Sequence, residues 1–126
     1  GAQKVHFIDS SAAVCRHLTQ VSESLGVEGQ VVIQKGGAEQ ALKQLKRDAQ
    51  SFDILFFDPP YGKELLGIAL EHAQALVSAS SMVVTEHEPE YVASDLIGCL
   101  QRTQTRRYGS SAISFFEVCK DMEANK

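Results

Sequence analysis

Short apolar runs and longer segments of helical period alternate along the chain. Residues 4–9, KVHFID, alternate polar and apolar positions and end in an acid, which predicts a strand. Ser10 or Ser11 can then cap a helix running to about Leu25, with Ala13, Val14, Leu18, Val21 and Leu25 inward and Gly26 as its stop. Residues 30–34 are a short β-branched strand. Gly36 and Gly37 make a turn, and residues 38–47 form a helix with Ala41, Leu42 and Leu45 inward. Residues 52–57, FDILFF, show no polar alternation after Asp53, which predicts an interior parallel strand buried on both faces. Residues 63–77 read as a helix, 81–86 as a strand and 90–100 as a further helix. Residues 103–108 and 112–118 read as two strands of an antiparallel hairpin joined at 109–111.

Strand and helix in strict alternation predict an α/β sheet with right-handed crossovers, closed by an antiparallel edge. Such sheets bind ligands at the carboxyl ends of their strands. Three polar features fall there: Asp9, the Gly36-Gly37 turn, and Asp58 with its two prolines.

Composition narrows the class. A chain of 126 residues, 44% of them apolar, suits one domain with a core. Its net charge of −4 excludes a generally basic nucleic-acid binder, so any such contact is local. No apolar run reaches the ~18 residues of a membrane span, and the N-terminus lacks a signal-peptide pattern. Cys15, Cys99 and Cys119 are widely spaced, which fits reduced thiols in a cytoplasmic protein. Neither they nor His6, His17, His72 and His87 have metal-ligand spacing, so no metal is expected.

The candidate chemistry lies in 58-DPPY-61. Proline fixes φ near −65° and restricts the residue before it. Pro59 and Pro60 therefore hold the Asp58 carboxylate and the nearby carbonyls in one orientation as the chain leaves its strand. That suits acceptance of hydrogen bonds from a planar amino group. Tyr61 offers a face on which a base can stack, a contact worth ~1–3 kcal/mol. Methyl transfer to an exocyclic amine fits: acceptors localise the amine's lone pair for in-line attack, and proximity with electrostatic placement supplies the rate. The plain alternative is a strand-to-helix turn that happens to contain two prolines.

At these residues the chain resembles a known family. Asp58-Pro59-Pro60-Tyr61 is similar to the D/N-P-P-Y/F/W motif of S-adenosylmethionine-dependent amino-methyltransferases. The stretch 83-VVTEHE-88 resembles the VVEH strand end of the bacterial 16S ribosomal RNA guanine-N2 methyltransferases, and 107-RYGSSAISFFE-117 resembles their KYGDTxLSFY hairpin. The opening 1-GAQKVHFIDSS-11 resembles their second strand. The resemblance implies a Rossmann-like class I methyltransferase sheet, parallel with an antiparallel C-terminal hairpin. It implies that Asp9 with Ser10 holds the ribose hydroxyls of S-adenosylmethionine, and that Gly36, Gly37 and Ala38 lie against its adenine. Asp58 to Tyr61 would form the target-base site, with Lys63, Arg106 and Arg107 toward the RNA. The implied partner is 16S ribosomal RNA or a small-subunit assembly intermediate, met by a monomer.

Two departures matter. The family has an acid where this chain has Gly37, and no glycine-rich G-x-G-x-x-G turn occurs in the 126 residues. The chain thus reads as one partial methyltransferase domain, 1–126, lacking the first strand-helix unit. Either the sequence is a fragment of a longer protein, or the strands on both sides of that unit pair directly, or another chain fills the gap. Weak binding of S-adenosylmethionine is expected. Rival readings are an adenine-N6 or protein-glutamine methyltransferase sharing the tetrapeptide, and a non-catalytic remnant that binds RNA or protein. Arg102, Arg106 and Arg107 read equally as phosphate contacts or as a solvated surface; Lys43, Lys46 and Arg47 read better as helix-end cations. The phenylalanines read mostly as core, Tyr108 as core or pocket, and His87 as packed or surface rather than catalytic.

Overall fold

The computed structural model describes residues 2–58, 63–90 and 94–119, with residues 63 and 64 described by their backbone alone. The elements run β1 (Val5–Asp9), α1 (Ala12–Ser24), β2 (Val31–Lys35), α2 (Ala38–Arg47), β3 (Phe52–Phe57), α3 (Lys63–Ala73), β4 (Val77–His87), β5 (Leu96–Ile97), β6 (Leu100–Tyr108) and β7 (Ser111–Val118). The chain divides into two compact units, Gly1–Gln44 and Leu45–Lys126.

In the first unit β1 and β2 pair in parallel, with Val5 opposite Val31 and Asp9 opposite Lys35. Helix α1 makes the crossover and packs on both strands. Ser11 is its N-cap: the hydroxyl oxygen accepts from the Val14 N–H at 3.2 Å. At the other end Gly26 sits at φ 71°, its N–H donating to the Glu23 carbonyl, while the Val27 N–H donates to Ser22. That pair of bonds is a Schellman motif, and it explains why the helix stops where the glycine predicts. The predicted inward stripe of α1 does not hold. Val14, Val21 and Leu25 are 41%, 39% and 70% exposed, and the buried position is Ser22, whose hydroxyl donates to the Leu18 carbonyl. A two-stranded sheet is too narrow to cover the whole apolar arc of the helix. In α2 the three predicted inward residues, Ala41, Leu42 and Leu45, are all buried.

The second unit is a five-stranded sheet in the order β3-β4-β7-β6-β5. Strands β3 and β4 are parallel, and the remaining pairs are antiparallel. Leu55, Val83 and Phe116 stand side by side across three strands and are buried, and α3 packs against β3 and β4 with Leu66, Ala69 and Leu70 inward. Strand β3 corrects the expectation of burial on both faces. Leu55 is buried, but Ile54 and Phe56 are 67% and 58% exposed. The reason lies in position: among the described strands β3 is at the sheet edge, and one face alone meets α3. The phenylalanines follow suit, since Phe116 is fully buried while Phe7, Phe52, Phe57 and Phe115 are only half-buried.

The helix expected over 90–100 is not formed by its described residues. Leu96–Ile97 is instead strand β5, turning tightly through Gly98 and Cys99 into β6. Gly98 has φ 56°, and a Cβ there would lie 1.6 Å from the Gln74 side-chain oxygen, which accepts from the Cys99 N–H at 3.1 Å. Glycine chemistry in a hairpin turn thus prevails over a weak helical period. The second hairpin is as expected, with Gly109 at φ 60° in its turn.

Candidate active site

Two groups of predicted residues fall at the carboxyl ends of parallel strands, one in each unit. In the first unit β1 ends at Asp9 and β2 at Lys35, so the two strand ends are level. The Asp9 carbonyl accepts from the Gly36 N–H at 3.0 Å, which ties the glycine turn to the end of β1. The half-buried Asp9 carboxylate takes the Ser11 N–H on Oδ1 at 2.8 Å. That bond fixes the side chain, and the second carboxylate oxygen accepts no hydrogen bond among the described residues. Asp9 therefore supports the turn without being the helix cap, a job that Ser11 does. Ser10 is exposed beside it. Gly37 is the last residue before α2, and its carbonyl accepts from the Ala41 N–H at 3.1 Å, so it stands at the N-cap. A Cβ built on Gly37 meets nothing within 4 Å. The space that an acid would fill is open.

In the second unit Asp58 directly follows β3 and is exposed. Its strand neighbour Phe57 lies opposite Thr85 of β4, so Asp58 sits level with the 86-EH-87 strand end. Pro59, Pro60 and Tyr61 lie outside the described residues. Lys63 opens α3, and the position of its side chain also lies outside them. Glu86 is half-buried; His87 is buried and fully engaged. Its Nδ1 lies 2.8 Å from the Glu88 carbonyl, which only accepts, so in the neutral ring that nitrogen carries the hydrogen. Nε2 then accepts from the Ser114 hydroxyl at 2.8 Å, and Ser114 in turn lies 2.9 Å from Thr105 Oγ1. His87 is thus packed, one of the two positions the sequence left open for it, and it anchors the end of β4 to the hairpin. Thr85, two residues earlier and on the same face, has a buried hydroxyl with no hydrogen-bond partner among the described residues.

The arginines separate cleanly. Arg102 is committed to structure: its guanidinium pairs with Asp95, and its backbone N–H donates to the Asp95 carbonyl at 2.8 Å. Arg106 and Arg107 are exposed on β6, and neither has an ion-pair partner among the described residues. Lys43 pairs with Glu39 one helical turn away, at 3.6 Å. Two features escaped sequence reasoning. Gln104, with its amide oxygen turned to Arg106, accepts from Nε at 2.8 Å and from an Nη at 3.2 Å. The two-residue strand spacing was the available signal. The other is a cleft of about 370 Å³ in the first unit, lined by Cys15, Arg16, Thr19, Gln20, Ile33 and Lys35. It joins residues of α1 to residues of β2 that are 13 to 20 positions away in sequence, and has no local signature.

The same fold recurs in solved structures. A conserved hypothetical protein of Streptococcus pyogenes superposes with a TM-score of 0.84 at 24% identity, over 96% of this chain and 74% of that one. A SAM-dependent methyltransferase from Agrobacterium tumefaciens gives 0.68 at 17%, over 93% and 49%. Fibrillarin from Aeropyrum pernix, with natively bound S-adenosyl-L-methionine, gives 0.68 at 11%, over 90% and 55%. No curated protein matches the sequence. The family model of conserved hypothetical protein 95 matches residues 1–117, nearly the whole length, and the chain belongs to that family.

Proposed function

We propose that the chain carries out S-adenosylmethionine-dependent methylation of an exocyclic amine, the N2 amine of a guanine in 16S ribosomal RNA. One observation carries the reading: Asp58 is exposed at the carboxyl end of a parallel strand, immediately before Pro59 and Pro60 in the sequence, in a methyltransferase fold. Asp58, with the carbonyls of Pro59 and Pro60, accepts from the amine hydrogens, and Tyr61 stacks on the base. These acceptors would localise the amine's lone pair on nitrogen for attack on a methyl donor, and the proton would pass to water after transfer, when the nitrogen has become far more acidic. Acceptors held in place by the fold need no reorganisation as charge develops.

The residues present fit one end of the cofactor. Asp9, oriented by the Ser11 N–H, accepts from the ribose hydroxyls, and the Gly36-Gly37-Ala38 turn lies against the adenine. When bound, S-adenosylmethionine supplies an electrophilic methyl group. The adenine amino group finds no carboxylate at Gly37, where the space is open. That feature also favours the second reading, a non-catalytic remnant that binds RNA.

Transfer of labelled methyl to 16S RNA, to adenine-containing DNA and to a glutamine peptide tests the assignment, with the Asp58→Ala variant alongside. RNA labelled at guanine N2 is expected, with a loss of about 10²–10³-fold in rate on removing one preorganised acceptor. Labelling of adenine N6 or glutamine instead, or an unaffected variant, would refute it.

A further inference from the structure

We propose that the free edge of β6 is the rail along which the RNA lies, with Gln104, Arg106 and Tyr108 reading one side of it and Arg107 the other. This rests on the reading that the substrate is RNA. Among the described residues, strand β6 from Thr103 to Tyr108 pairs only with β7, because β5 covers no more than Leu100 and Gln101. Its outer edge therefore presents backbone donors and acceptors to a partner.

The side chains on this edge select the occupant. Residues 96–116 contain three arginines and no acid, in a chain whose net charge is −4. That stretch is +3, and the remainder is −4 − 3 = −7 over the other residues. Arg102 is neutralised by Asp95, which leaves Arg106 and Arg107 as the exposed charge. A bulge at Thr103 resets the alternation, so that Gln104, Arg106 and Tyr108 stand opposite Phe115, Ile113 and Ser111 on one face, and Thr105 and Arg107 opposite Ser114 and Ala112 on the other. Successive members of the first stripe are about 7 Å apart. With its amide oxygen turned to Arg106, Gln104 accepts from Nε, which orients the planar guanidinium before any ligand arrives. Tyr108 is 53% exposed, although an aromatic ring of that size is ordinarily buried. A held guanidinium plane, an exposed phenol ring and a free cation are the groups on which unstacked bases and phosphates are bound. An extended protein strand would use the same backbone edge but has no need of the charge.

Fluorescence anisotropy of the chain with a labelled guanine-containing RNA stem-loop tests this, with Tyr108→Ala, Tyr108→Phe, Gln104→Ala, Arg106→Ala and Arg107→Ala, and with Lys4→Ala as a charge control. Thermal melting checks that each exposed-site variant is folded. Tyr108→Ala is expected to weaken binding about 5- to 100-fold, with Tyr108→Phe near wild type. Each arginine variant is expected to lower the slope of log affinity against log salt by about 0.7. Lys4→Ala should change neither. If the wild type binds RNA and the β6 variants bind it equally, the rail is wrong and the RNA reading stands. If the wild type binds no RNA even at low salt, both fall. Loss of binding to an extended peptide, with RNA binding retained, overturns the rail in favour of strand addition.

Discussion

At the scale of single residues, Gly37 is the most informative position. It stands at the N-cap of α2 with an open space around its Cβ, and its backbone is not in the left-handed region. An aspartate there meets no steric barrier. It would cap the helix and offer the adenine amino group an acceptor. Gly37→Asp is therefore expected to tighten S-adenosylmethionine binding by about 1–3 kcal/mol in calorimetric titration and to raise the melting temperature slightly. Unchanged affinity would place the adenine elsewhere. Single residues also mark where sequence reasoning stopped. The placing of Asp9 and Asp58 at strand ends was legible because an acid ending an apolar strand stands out locally. The pairing of Arg102 with Asp95 was not legible, whereas that of Gln104 with Arg106 had a signal in the strand spacing that went unread. The Arg102 pairing depends on strand register and on the neighbouring bulge, which one-dimensional spacing does not encode.

At the scale of elements, α2 was read to the residue, with its inward face correct, because ten residues with strong amphipathic order leave little choice. Its end shows a local conflict. The Ala49 N–H donates to the Lys46 carbonyl and the Gln50 N–H to the Leu45 carbonyl, a second Schellman motif. The residue in the left-handed position, φ 55°, is alanine, which pays a steric cost that glycine avoids. Ala49→Gly, an exposed change, is expected to stabilise the fold by about 0.5–1 kcal/mol in urea unfolding, against the usual sign for that substitution. The 90–100 segment went the other way. Its helical period was weak, and Gly98 with Gln74 locked a turn whose second partner is 24 positions away in sequence. Strand β3 was found but misjudged, since burial depends on what covers a strand as well as on its own composition.

At the scale of the molecule, two units with separate sheets imply uneven stability. The first unit rests on two strands and helices, and a two-stranded sheet is marginal on its own. The second holds Val83, Leu100, Ser114 and Phe116 at 0% exposure in a five-stranded sheet. Native-state hydrogen exchange should find the β1 and β2 amides opening at lower free energy than those at the centre of β4 and β7. Equal protection throughout would mean that the chain unfolds as one cooperative block.

The bare face of β3 has a practical consequence. Ile54 and Phe56 are greasy side chains on a strand that, among those described, has one neighbour only, which is the recipe for molecules sticking edge to edge. Ammonium sulfate and other kosmotropic salts strengthen such contacts. The protein should therefore cloud out of concentrated or salted solutions sooner than its charge suggests, and a polar residue at Ile54 or Phe56 should be what keeps it clear.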